Sequence, residues 1–90
     1  MRICLLDGRK MTDREALHGC LREALSLPAW YGNNLDALFD CLTERGEETT
    51  IILRHPQALT PLKGYGEALL TTLQEAQEAN PRLKVVLGEE

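Results

Sequence analysis

Leu25-Ser26-Leu27-Pro28-Ala29-Trp30-Tyr31-Gly32-Asn33-Asn34-Leu35-Asp36-Ala37-Leu38-Phe39-Asp40-Cys41-Leu42 reads as the end of one helix, a loop, and the start of another. Pro28 stops the first helix, because the residue before a proline disfavours helical backbone. Ala29 to Asn34 hold two of the chain's four aromatic residues. Gly32 suits a tight turn there, and Asn34 can accept from an orphan amide as an N-cap. The spacing predicts a second helix over Leu35 to Thr43. At about 100° per residue, Leu35, Leu38 and Leu42 share one face and Asp36, Asp40 and Thr43 another, with Phe39 on the flank. The leucine face must pack inward, which turns both aspartates outward.

Upstream, Thr12-Asp13-Arg14-Glu15 has capping-box spacing with Thr12 as the cap, and Leu17, Cys20, Leu21, Ala24 and Leu25 follow as a helical stripe. Residues 2 to 6 read as a short, buried strand ending at the Asp7-Gly8 turn. Downstream, Thr49 to Leu53 form a β-branched strand closed by His55-Pro56. Gln57 to Tyr65 carry at most a short helix. From Gly66, the positions Leu69, Leu70, Leu73 and Ala76 describe an amphipathic helix closed by Asn80-Pro81. Leu83, Val85 and Leu87, with Val86, make the last strand. Strands alternating with helices imply βαβ units. The expected fold is α/β: a small three-stranded parallel sheet with right-handed crossovers and three to four helices packed against it, one domain over residues 1 to 90.

Fourteen acidic against ten basic side chains give a net charge of −4, which opposes phosphate-backbone binding and favours a positively charged partner. No apolar stretch approaches the roughly 20 residues of a membrane span. The start Met1-Arg2-Ile3-Cys4-Leu5-Leu6 meets Asp7-Gly8 where a secretory signal would need small residues, so a cytoplasmic protein is expected. Cys4, Cys20 and Cys41 are odd in number, widely spaced and without C-x-x-C pairing, and read as small buried apolar residues. His18 and His55 lie far apart with no ligand pattern around them. No metal and no cofactor are expected.

The run Leu25-x-Leu27-Pro28-x-Trp30-Tyr31-Gly32-x-Asn34-Leu35-Asp36-Ala37-Leu38-Phe39-Asp40-x-Leu42 resembles the hallmark of the barstar family, and the other elements fall in that family's order along essentially the whole chain. The resemblance implies a barstar-like fold and an intracellular inhibitor that fills the active site of a basic, secreted-type (barnase-like) ribonuclease. Position by position, it marks Trp30, Asn34, Leu35, Asp36, Phe39, Asp40 and, from the later helix, Glu75 as partner-binding residues, Asp40 first among them. The carboxylates of Asp36 and Asp40, one turn apart, suit cationic groups built to hold phosphates. Trp30 adds apolar contact area, as interface anchors do. Three departures stand out. The family inhibitor has tryptophan at Phe39, a glycine-tryptophan pair at Glu44-Arg45, and a contact glutamate at Ala79.

Other readings bear on the same residues. An aspartate pair at i, i+4 is in most proteins a solvated face, and Glu75 is equally explained as solubilising. Tyr31 is expected to pack as core and Trp30 to stay partly exposed. An enzyme would need a nucleophile beside a base, but His18 and Cys20 face about 200° apart on their helix. Asp36 and Asp40, on a convex face, have nothing to exclude water. A nucleic-acid module would need a basic patch, which is lacking. The chief rival is a barstar-like module that binds another nuclease toxin or a different protein through the same face. A monomer is expected, since a free inhibitor needs that face open.

Overall fold

The computed structural model describes residues 1–88. The chain runs β1 (Arg2–Asp7), α1 (Arg14–Leu25), α2 (Leu35–Thr43), β2 (Thr49–Arg54), α3 (Gly64–Ala79) and β3 (Leu83–Leu87), with 3-10 segments at Gly8–Lys10 and Pro56–Leu62. The three strands lie in the order β1-β2-β3 and all pairs are parallel, with Cys4 opposite Ile51 and Ile51 opposite Val85. This is the α/β architecture expected from the alternation of periods. The span read from leucine spacing and the Asn34 cap, Leu35 to Thr43, coincides with α2.

The core fills the helix-facing side of the sheet. Cys4 and Leu6 of β1, Ile51 and Leu53 of β2 and Leu83 of β3 meet Leu17, Leu21 and Leu25 of α1, Leu38 and Leu42 of α2, and Leu69, Leu73 and Ala76 of α3. Side chains on a strand alternate between faces, so the neighbouring residues of β1 point the other way. Ile3 and Leu5 are 62% and 61% exposed. The expectation of a buried first strand therefore holds only for alternate residues. β1 is an edge strand whose outer face is open, whereas parallel strands are ordinarily covered on both sides. Of the cysteines, Cys4 and Cys41 are buried and Cys20 only partly so.

Helix ends depart from expectation by small steps. Asp13, not Thr12, is the N-cap of α1, its carboxylate accepting from the Ala16 amide at 2.8 Å. Both residue types cap well, so spacing alone left the register open by one. The helix ends at Ser26, which turns into the left-handed region with φ 53° two residues before Pro28. Arg2 secures that end by donating to Ser26 Oγ at 2.6 Å. The weak signal between Gln57 and Tyr65 resolves into the 3-10 segment, entered through His55 in left-handed backbone, and α3 begins at Gly64 rather than Gly66. Two glycines are required by close approach. A Cβ on Gly8 would sit 2.3 Å from the His55 carbonyl oxygen, and one on Gly66 would sit 2.9 Å from that of Leu59.

Candidate partner-binding face

α2 presents its carboxylates because its other side is committed to the core. Leu38 and Leu42 are fully buried, Leu35, Ala37 and Phe39 pack partly against the core, and Asp36 and Asp40 lie on the exposed side. Asn34 starts the helix by accepting from the Ala37 amide at 2.7 Å and donates back to the Gly32 carbonyl at 3.3 Å. Its side chain is thus occupied in shaping the loop-helix junction. Asp36 stands in the first turn, where the helix dipole favours a negative charge.

The preceding loop is tied to α1. Tyr31 is buried, and its hydroxyl lies 2.6 Å from His18 Nδ1. Arg22 donates to Asn33 Oδ1, and Asn33 has positive φ. With Tyr31 drawn in, its neighbour Trp30 is left 73% exposed, above a hollow of about 200 Å³ lined by Leu27, Pro28, Cys41, Glu44 and Arg45 among others. Burial pushes the Tyr31 hydroxyl well above its ordinary pKa, reinforced by Tyr65 and Cys41, so it stays a neutral phenol.

Glu75 is exposed on α3, and α3 packs against α2, so all the candidate residues lie on the loop, α2 and its neighbouring helix. Arg45 does not project. Its guanidinium donates to Thr49 Oγ1 and to the Leu25 carbonyl, both at 3.1 Å, and pairs with Glu47 at 3.5 Å. Glu44 is exposed and Ala79 offers no carboxylate. Among the described residues there is no group of three or more His, Cys, Asp or Glu side chains that could hold a metal ion, and no helix is long and apolar enough to cross a membrane.

The sequence reading left His18, Arg22, Asn33 and Tyr65 unassigned. One signal was available for His18, which sits next to Leu17 on the flank of the α1 stripe and so had to be buried with a partner. For Tyr65 there was none, since its contact crosses 47 residues of sequence.

A family model described as Barstar (barnase inhibitor) matches residues 1–88 of the chain. This chain belongs to the barstar family. Among curated relatives, a protein named Putative ribonuclease inhibitor YrdF, from Bacillus subtilis (strain 168), is 41% identical over 80 residues, spanning 87% of this chain and 88% of the relative. The family match takes in the loop, α2 and α3 together with all three strands.

Proposed function

We propose that this protein inhibits a barnase-type ribonuclease, as a cytoplasmic monomer that lays its loop and α2 across the enzyme's basic active site. The observation that carries the reading is the placement of Asp36 and Asp40 on the exposed side of α2, together with the exposure of Trp30 on the loop before it. A ribonuclease cleft holds phosphates with arginine and lysine, and carboxylates one turn apart meet the same groups through charge-assisted hydrogen bonds. Trp30, Asn34, Leu35, Asp36, Phe39, Asp40 and Glu75 form the contact set. Trp30 supplies rigid area, and Asn34 and Leu35 fix where α2 begins. Phe39 is half-buried, so it contributes an edge and not a full ring.

Inhibition needs no reaction by this chain, only steric and electrostatic occlusion. The test is titration into a barnase-type ribonuclease assay, wild type against Asp40→Ala at matched ionic strength. Stoichiometric inhibition is expected, and Asp40→Ala is expected to weaken it by about 2–5 kcal/mol, the range found on truncating one partner of a desolvated ion pair. Inhibition untouched by the substitution would overturn the assignment of Asp40, and no inhibition by folded wild type would overturn the function.

One observation favours a second reading. Where the family inhibitor carries a glycine-tryptophan pair, Arg45 is folded back onto Leu25 and Thr49 and Glu44 adds a carboxylate. That corner suits a partner with an extra cation in place of an apolar pocket, such as a different nuclease toxin. Capture of a distinct nuclease, with barnase-type enzymes unaffected, would support it.

A further inference from the structure

His18 is 2% exposed, yet both its ring nitrogens are engaged, Nδ1 at 2.6 Å from the Tyr31 hydroxyl and Nε2 at 2.6 Å from that of Tyr65. The imidazole sits on α1, Tyr31 on the loop before α2, and Tyr65 in the first turn of α3. Three separate elements therefore meet at one ring. A neutral imidazole has one N–H and one bare nitrogen. One tyrosine accepts from the ring while the other donates to it, giving the trio a direction. A protonated ring would donate from both nitrogens, so the hydroxyl that had donated must turn round inside the packed interior.

Cationic neighbours oppose that change. Arg14 lies over the Tyr65 ring at 4.1 Å and Arg22 over the Tyr31 ring at 5.9 Å. Among the described residues, the side chains hydrogen-bonded to the ring are the two tyrosines, and Tyr31 in turn feels the Cys41 thiol of α2 electrostatically. Burial, Arg22 and Arg14 all favour the neutral form.

We propose that His18, through Tyr31 and Tyr65, is a positioning residue that sets the Trp30 loop against α2 and α3, so that the partner-binding face is assembled while the imidazole is neutral. The part concerning inhibition rests on the ribonuclease-inhibitor reading; the part concerning loop position does not. Trp30 is the single tryptophan of the chain and adjoins Tyr31, which makes its fluorescence a direct report on the loop.

The experiment compares wild type, His18→Gln and Tyr65→Phe by Trp30 emission and iodide quenching from about pH 8 to about pH 5, the range in which histidine titrates, with far-UV circular dichroism as the control for folding. Wild type is expected to show a step in Trp30 emission below about pH 6.5 with helix content unchanged. The step should vanish in His18→Gln, and Tyr65→Phe should shift Trp30 emission already at neutral pH. If inhibition is measurable, Tyr65→Phe should speed dissociation about tenfold, the scale of one buried hydrogen bond lost. A pH-independent wild-type emission overturns the proposal. So does a step that persists in His18→Gln. Should His18→Gln fail to fold, Tyr65→Phe decides: emission and dissociation like wild type overturn the proposal. A wild type that inhibits nothing refutes the functional reading alone, since the Trp30 measurements need no enzyme.

Discussion

Replacing Asn80 by alanine would strip bonds from three segments at once. Its side-chain amide donates to the carbonyls of Leu42 at 2.9 Å and Arg45 at 3.2 Å, and its oxygen accepts from the Arg82 amide at 3.0 Å. Leu42 is in the last turn of α2 and Arg45 just beyond it, where carbonyls lack helical partners. Asn80 is 5% exposed, and its bond to Leu42 is buried while the other two are partly so. Asn80→Ala should cost about 1–3 kcal/mol, measured by urea unfolding with an unchanged m-value. In the sequence, Asn80 was readable only as the stop of a helix, because its partners lie 35 and 38 residues away. The same distance limit hid Tyr65. The exposure of Asp36 and Asp40, by contrast, was readable because it follows from the spacing of Leu35, Leu38 and Leu42 on one helical face.

At the scale of elements, two substitutions one residue apart separate the observed cap from the expected one. Asp13→Ala should destabilise by about 1 kcal/mol, while Thr12→Ala should leave the thermal midpoint near wild type. Both follow from the bond between the Asp13 carboxylate and the Ala16 amide. Gly8→Ala should be more damaging, about 1–3 kcal/mol, because the new methyl would meet backbone of the His55 turn, and calorimetry would show it. The type and order of the strands and α-helices were readable from local periodicity. What escaped was whatever depended on neighbours in space. The exposure of Ile3 and Leu5 reflects an uncovered sheet face, and the 3-10 segment carries Pro56 and Pro61, which blur any period.

For the molecule as a whole, pH should act in two windows. The folded pKa of His18 lies below its ordinary value, so the unfolded chain takes up a proton first. Stability is full above about pH 6.5 and declines as pH falls below it. Asp7 is displaced in the same direction, its carboxyl held at about 2 instead of 3.8 by the Arg9 guanidinium and amide. Its contribution is present above pH 3.8 and lost as pH falls toward about 2. Chemical denaturation across pH should show both declines, the upper one abolished in His18→Gln. The exposed Arg9–Asp7 pair should also weaken with salt. The parallel sheet carries a further consequence, one of timing. β1 pairs along its length with β2, Arg2 opposite Thr49, and β2 with β3, Thr49 opposite Leu83. A growing chain thus makes β1 long before β2, the strand it pairs with, leaves the ribosome, and β3 later still. Such non-local pairing must close long loops before it is rewarded. The sheet closes only once β3 has emerged, and the leucine-rich α1, made earlier, must wait for it.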